Sequence, residues 1–376
     1  MRDADATPRR LPGLDALRGL AVSLVLLNHA WPATFGAAGV VGVTIFFALS
    51  GWLITGLLLR DVEQHGRVRY GRFAAARALR LYPPMLFMLA GFVVVEGALD
   101  HLGDRHLVPE SLLAAVTYTM NLPLLPHGSE SLYHFWTLAT EEQFYLLWPL
   151  VLAWAWRRGL LRVAVGLGVL GTLAACTVTM LLVAPDVARV YALPTSWAAA
   201  LLIGCAGRLG QDTLQQLLPP ERGPRRRLLV VLVALLLATS LSGPTGAHPW
   251  WYLLGVPSVA AATVVLVSYA GRWPVLPSRL LRPAVALGTI SYAAYLWNAA
   301  IVRWLHHPQD ALGALATIAL TLVAATASWW LVERPAGRLR ARLLGGRRVS
   351  GRGRTPAGPR SGRRRRRAPA APARTT

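Results

Sequence analysis

The sequence predicts an all-α, polytopic membrane helical bundle of about ten transmembrane helices with both termini in the cytoplasm. Three observations carry this. Long apolar runs recur from the N-terminus to about residue 333. The 376 residues are 54% hydrophobic and only 15% charged, whereas soluble domains carry roughly a quarter charged residues. Finally, the basic residues gather in alternate loops.

The apolar segments lie at 14–31, 39–59, 83–99, 110–122, 136–156, 161–184, 192–208, 228–243, 250–270, 284–304 and 311–332. Cytoplasmic loops collect basic residues. The N-terminal tail and residues 60–80, 157–162, 208–227, 272–282 and 334 onward are Arg-rich; 32–38, 185–190, 244–249 and 305–310 are Arg-poor. Placing every Arg-rich loop inside forces 100–135 to start and finish outside. Segment 110–122 is then too short to cross, since about 20 apolar residues are needed. It is expected to lie in or dip into the outer face. Arg9 and Arg10 before an apolar stretch suggest a signal peptide, but Arg18 inside that stretch and the spans that follow argue for a retained first helix.

Three regions are expected: an N-terminal cytoplasmic tail at 1–10, a membrane domain at 11–338 and a disordered, Arg-rich cytoplasmic tail at 339–376. Lys+Arg is 39 against Asp+Glu 17, a net charge of +22, and every basic residue is Arg. The tail, with the run Arg363 to Arg367 and no acid, fits contact with anionic lipid better than nucleic-acid binding. Cys176 and Cys205 lie in apolar segments without metal-ligand spacing and read as packing residues. No internal repeat is visible, which weakens a transporter built from inverted repeats.

The first helix, "GLDALRGLAVSLVLLNHAW" (13–31), carries Asp15, Arg18 and His29. At 100° per residue these groups share one face, and Arg18 and His29 lie roughly 16 Å apart along the axis. Ionisable groups against lipid cost several kcal/mol, so this stripe should face a polar interior. For a lone His the plainer reading is that Asp15 and Arg18 pair with each other at the interface while His29 hydrogen-bonds a backbone carbonyl. Five further segments change the balance: "GVTIFFALSGWLIT" (42–55), "RFAAARALRLYPP" (72–84), "FWTLATEEQFYLLWP" (135–149), "SYAAYLWN" (291–298) and "WWLVERPAGR" (329–338).

With Arg18-x10-His29, these segments in this order resemble the acyltransferase-3 family of integral membrane O-acyltransferases, over residues 11 to 338. The resemblance implies transfer of an acyl group, often acetyl, from acyl-CoA to a hydroxyl of a carbohydrate or glycosylated natural product. Family acceptors include cell-envelope sugars such as lipopolysaccharide, peptidoglycan and exopolysaccharide, and sugars on macrolide-type natural products. It also implies an integral protein of the bacterial inner membrane. By the same resemblance Arg18 and His29 match the family's N-terminal functional pair, Arg77 and Arg80 its RxxR element, and Glu141 and Glu142 its EEQFYL element. Thr44 stands where the family usually has Asp, Asn298 where it has His, and Ala336 where Phe is common.

The chemistry is consistent with those residue types. Attack of a hydroxyl on a thioester needs a base and a stabilised oxyanion, and imidazole titrates near neutrality. His29 is the candidate base, with an acyl-imidazole intermediate as the variant. Glu142, or Glu141, is expected to orient His29 or contact the acceptor; adjacent residues point 100° apart, so one is expected to share its cavity. Arg77 and Arg80, with Arg72 assisting and Arg18 at the inner mouth, are expected to bind the phosphates of acyl-CoA, with acetyl-CoA the favoured donor. No metal is assigned, and His306 and His307 lack further ligand spacing. Ser50 and Gly51 read as close helix packing, Tyr292 and Tyr295 as interfacial anchors, and Glu333 and Arg334 as a structural pair ending the last helix. Glu96 is expected to face the cavity. No hydrolase-like domain of the kind some family members carry is recognisable, so acceptor delivery is expected to use the membrane domain or a separate protein. The competing readings are a glycan or small-molecule transporter and a membrane scaffold recruiting partners through its Arg-rich tail.

Overall fold

A computed structural model describes residues 11–344, apart from 126, 244–247, 274, 275, 277 and 307–309. The Arg-rich tail beyond 344, the first ten residues and His307 lie outside the described residues. Among the described residues there is no strand. The helices are α1 (Pro12–Ala30), α2 (Ala38–His65), α3 (Tyr70–Phe92), α4 (Val108–Val116), α5 (Trp136–Arg157), α6 (Leu161–Val183) and α7 (Pro194–Leu209). There follow α8 (Gln211–Leu217), α9 (Arg222–Ser240), α10 (Val256–Ala270), α11 (Arg282–Thr289), α12 (Ser291–Trp304), α13 (Ala311–Ser328) and α14 (Arg334–Leu344).

Local chemistry sets several boundaries. Proline occupies the first turn of α1, α4, α7, α10 and α11, where its missing N–H is harmless. α2 ends at Gly66, whose φ of 68° is the left-handed conformation glycine adopts freely. Asp310 caps α13 by accepting from the Gly313 amide.

The chain is an integral membrane protein. Five helical stretches are long and apolar enough to cross a bilayer, or six if α11 and α12, bent by 67°, count as one span. The other expected spans, α1, α5, α7 and α9, are helical as well. α7 has only 16 residues and α9 starts among Arg222 and Arg225 to Arg227, while α1 and α5 lose hydropathy to the ionisable groups of the motifs. The core of α2 is 78% buried within the protein, against 17% for α6. α2 is thus central, whereas α6 turns Leu167, Leu170, Leu181 and Leu182 outward, as a lipid-facing helix should.

Two expectations are corrected. Residues 60–80 are not a loop: α2 runs to His65 and α3 begins at Tyr70, so Arg72, Arg77 and Arg80 sit on a helix. Nor does the last helix end at Glu333 and Arg334. It continues through a π-helical turn, Trp329–Glu333, into the Arg-rich α14 as far as Leu344, inside the stretch expected to be disordered tail. Ala, Leu and Arg are strong helix formers, so a helix carries past the apolar region wherever they follow it. The Arg334 guanidinium stacks 4.3 Å from the Trp330 ring centroid.

Segment 110–122 is short, as expected: α4 has nine residues. The chain then enters the bundle. Asn121 is buried and donates to Gln143 Oε1 (3.0 Å) and Thr140 Oγ1 (3.1 Å), while the Gln143 amide donates to the carbonyl of Tyr118 (3.0 Å) and to Asn121 Oδ1 (2.8 Å). The glutamine of "EEQFYL" therefore ties this dipping segment to α5.

Bare backbone surfaces bring the central helices together, as small residues do in membranes. A Cβ on Gly51 of α2 would lie 1.9 Å from the carbonyl oxygen of Leu201 in α7, and one on Gly204 of α7 would lie 2.2 Å from that of Ala48. Gly51 is thus a packing residue, as its sequence context suggests. Gly51→Val is expected to collapse the crossing, giving aggregated protein or a thermal midpoint in detergent lowered by an overpacking penalty of about 3 kcal/mol or more. Gly166→Ala, which meets nothing within 4 Å, should stay within about 1 kcal/mol of the parent. Size-exclusion profiles and melting curves of the two variants check this.

Candidate functional site

Two polar centres lie inside the bundle, and α1 reaches both. The first surrounds His29, in the last turn of α1 and half-buried. Its Nδ1 lies 2.5 Å from Oδ1 of Asn298 on α12. Asn298 is buried, and its Nδ2 donates to Thr321 Oγ1 on α13 at 3.2 Å. Thr321 in turn donates to the Thr317 carbonyl at 2.8 Å.

A second imidazole belongs to this centre. His134 lies in the 3₁₀ turn Glu130–Phe135 that leads into α5. Its Nε2 is 3.0 Å from the carbonyl oxygen of Leu296. A carbonyl only accepts, so Nε2 carries the proton, and Nδ1 is a buried acceptor without a hydrogen-bond partner among the described residues. His29 and His134 are electrostatic neighbours. The Tyr295 hydroxyl, Thr137 hydroxyl and His134 carbonyl form a triangle with sides of 2.8, 3.0 and 3.3 Å. Tyr295 therefore knits α12 to α5, and the Tyr292 hydroxyl donates to the Leu81 carbonyl of α3 at 3.1 Å. Both hydroxyls are thus engaged within the bundle.

The second centre joins α2, α3 and α5. Ser50 donates to Glu141 Oε1 at 2.6 Å, and the Tyr145 hydroxyl donates to Ser50 Oγ at 2.9 Å. The Arg77 guanidinium sits 3.8 Å from the Tyr145 ring centroid. Arg77 Nη2 lies 3.8 Å from Glu142 Oε1, near enough for ion pairing but too far for a hydrogen bond. Arg77 Nε and Glu142 Oε1 are both buried and lack hydrogen-bond partners among the described residues. They border a cavity of about 200 Å³ that Tyr70, Phe73, Tyr82 and Tyr145 also line.

The arginines expected to hold phosphate converge around this centre. Arg80 has Arg18, Arg77 and Arg340 as charged neighbours, and Arg18 pairs with Asp15 at 3.1 Å. Pro83 and Pro84 inside α3 supply no amide hydrogens to the carbonyls of Leu79 and Arg80, so the helix is weakened one turn beyond the pair. Arg72 points elsewhere: its Nη2 donates to the Leu344 carbonyl at the end of α14, at 2.7 Å.

The geometry thus gathers Arg18, Arg77 and Arg80 on one side and sets Glu141 and Glu142, 100° apart, toward α2 and α3 respectively. The expectation that one glutamate shares the cavity of His29 is corrected: both belong to the centre of Ser50 and Arg77, because α5 turns them toward α2 and α3, and His29 bonds Asn298 on α12. Glu96 is fully buried, and its Oε1 accepts from the Trp304 indole at 2.9 Å. Sequence reasoning missed His134, the bonding of Asn298 to the candidate base, and Ser50 as a polar partner. A histidine one residue before "FWTLATEEQ" was the available signal for the first. Among the described residues, no three His, Cys, Asp or Glu side chains gather as a metal site. Chemically, one centre offers an oriented imidazole beside a second one, and the other offers cations beside a cavity.

Comparison with known proteins follows the same lines. The chain is 29% identical over 352 residues to the peptidoglycan O-acetyltransferase OatA of Listeria monocytogenes, covering 86% of this chain and 55% of that protein. It is 28% identical to the O-acetyltransferase OatA of Staphylococcus aureus, covering 88% and 57%. It is 30% identical to the putative peptidoglycan O-acetyltransferase YrhL of Bacillus subtilis, covering 87% and 55%. The chain spans about half the length of these curated relatives. No solved structure matches it. The sequence profile of the acyltransferase domain (Acyl_transf_3) matches residues 11–333, nearly all of the described chain, and the protein belongs to that family.

Proposed function

We propose that the chain is a membrane O-acetyltransferase that moves an acetyl group from acetyl-CoA to a hydroxyl of a cell-wall glycan, with His29 as general base. The observation that carries this reading is the placement of His29 and of the Arg18–Arg77–Arg80 group at the two ends of α1, both directed into the bundle. Family membership supports acyl transfer, and the names of the relatives support a peptidoglycan acceptor.

In this mechanism acyl-CoA approaches from the Arg-rich, cytoplasmic side of the inner membrane. Its phosphates take the place of Glu142 as partners of Arg77, whose unpaired Nε and loose ion pair fit such an exchange. Arg80 and Arg18 add charge. The pantetheine arm then spans the roughly 16 Å between Arg18 and His29. Neutral His29 takes the proton from the acceptor hydroxyl as its oxygen attacks the thioester carbonyl carbon. The carbon–sulfur bond breaks, and the proton leaves with the CoA sulfur. The acceptor enters from the opposite face, where peptidoglycan is built.

Labelled acetyl-CoA and purified protein, with soluble peptidoglycan oligosaccharides, test the reading by ester formation. Substrate flux across vesicles without acyl chemistry would instead indicate a transporter. His29→Ala should lower turnover by about 10²–10⁴-fold, the usual contribution of a general base, in protein that still purifies as a single species. Arg77→Ala and Arg80→Ala should each raise KM for acetyl-CoA by about tenfold or more, the loss expected for a charge-assisted phosphate contact. Arg72→Ala, whose guanidinium is engaged by the Leu344 carbonyl, should leave KM within about twofold; steady-state kinetics on the three variants separate these roles.

A further inference from the structure

We propose that Asn298 and Thr321 are positioning residues that lock His29 in one tautomer, with the proton on Nδ1 and the lone pair on Nε2. The inference deepens the reading of His29 as base and rests on it. The Thr321 hydroxyl oxygen lies 2.8 Å from the Thr317 carbonyl oxygen. Two oxygens this close attract only when the hydroxyl proton lies between them, because a carbonyl cannot donate. The hydrogen of Thr321 is thereby committed, and toward Asn298 its oxygen acts as an acceptor.

That commitment fixes the amide. At 3.2 Å from Thr321 Oγ1, Asn298 must present its NH₂ group, which places Oδ1 toward the ring of His29, 2.5 Å from Nδ1. Reversing the amide would set its carbonyl oxygen against the committed Thr321 oxygen and its NH₂ against the imidazole. An amide oxygen only accepts, so His29 Nδ1 carries the hydrogen. Neutral His29 then has a single basic nitrogen, Nε2. Both supporting residues are buried, 1% exposed for Asn298 and fully buried for Thr321. Unsatisfied polar atoms there would be costly, so the chain of donors and acceptors resists rearrangement.

The substitution relative to the family pattern gains a reason. A second imidazole at position 298 would itself titrate and choose between tautomers. The amide does neither, so the order Thr317 carbonyl, Thr321, Asn298, His29 is independent of pH. Second-shell partners of a functional histidine characteristically fix its tautomer in this manner.

The test combines spectroscopy and kinetics on full-length protein in lipid bilayers. Nitrogen-15 histidine labelling, with the His29 signal assigned by its loss in His29→Ala, reads the tautomer directly. Wild-type protein should show the Nδ1–H form. Thr321→Val should show a mixture and lose about tenfold in kcat, the lower end for second-shell partners. Asn298→Leu should lose about 10²–10⁴-fold, with KM for acetyl-CoA within about twofold in both. Thr321→Ser, which keeps the hydroxyl, should restore both tautomer and rate. A wild-type His29 with its proton on Nε2 overturns the proposal whatever the activity. Unchanged kcat in folded Asn298→Leu and Thr321→Val protein overturns it too. Full turnover in His29→Ala is a different result: it removes the base reading itself, while the spectrum still reports which nitrogen Asn298 holds.

Discussion

The close backbone contacts around α1 are the constraint on which the rest of the structure depends. A Cβ on Gly19 would lie 1.9 Å from the carbonyl oxygen of Ala284, and one on Gly288 would lie 1.8 Å from that of Asp15. Gly13 abuts Ala270 in α10, and Gly42 of α2 abuts Ala21. In lipid no hydrophobic force drives helices together, because the surrounding chains are as apolar as leucine. Bare glycine surfaces compensate by permitting dense van der Waals contact. α1 is consequently enclosed by α2, α10, α11 and α12. Only a helix so enclosed can carry Asp15, Arg18 and His29 without exposing them to hydrocarbon.

Much of this arrangement was legible in the sequence, and the parts that were not share a physical origin. Apolar run length and Arg distribution located the helices, because the bilayer fixes the length of a span and the positive-inside bias is a property of local sequence. Helical periodicity placed Arg18 and His29 on one face. The pairing of His29 with Asn298 bridges 269 residues, and that of Ser50 with Glu141 bridges 91. No periodicity or propensity reports such contacts. The residue types also misdirected: Ser and Gly in a membrane helix are commonly packing residues, so Ser50 drew no functional reading beside Gly51. Proximity in the chain groups Arg72 with Arg77 and Arg80. Facing another side of α3, Arg72 bonds the end of α14. That helix extends past the boundary that its charge suggests, because arginine among alanine and leucine is a good helix former.

The proposed reaction gives a reason for two polar centres in one bundle. On that proposal a donor carrying phosphates needs cations, and an acceptor hydroxyl needs a base of near-neutral affinity for protons. Placed together in an apolar interior, a charged arginine would disfavour the protonation of an imidazole that is meant to receive a proton. Separation along α1 keeps the two functions electrostatically apart. His134 adds to this logic on the imidazole side, since its Nε2–H is committed to the Leu296 carbonyl and its Nδ1 remains an acceptor without a hydrogen-bond partner among the described residues.

The adjacent glutamates divide along the same line. Glu141 accepts a 2.6 Å hydrogen bond from Ser50, which itself accepts from Tyr145, so removing Glu141 would leave the Ser50 hydrogen without its acceptor and loosen α2 against α5. Glu142 is bound less tightly. Its 3.8 Å contact with Arg77 leaves each partner with a buried atom that lacks a hydrogen bond among the described residues, at the edge of the cavity. A buried ion pair gives net stability only when its geometry is good and its remaining hydrogen bonds are filled. This one meets neither condition. Glu141 therefore belongs to the framework of the bundle, whereas Glu142 and Arg77 hold a pair that an incoming anion can separate at small cost, and the sequence "EE" encodes two unlike roles in consecutive residues.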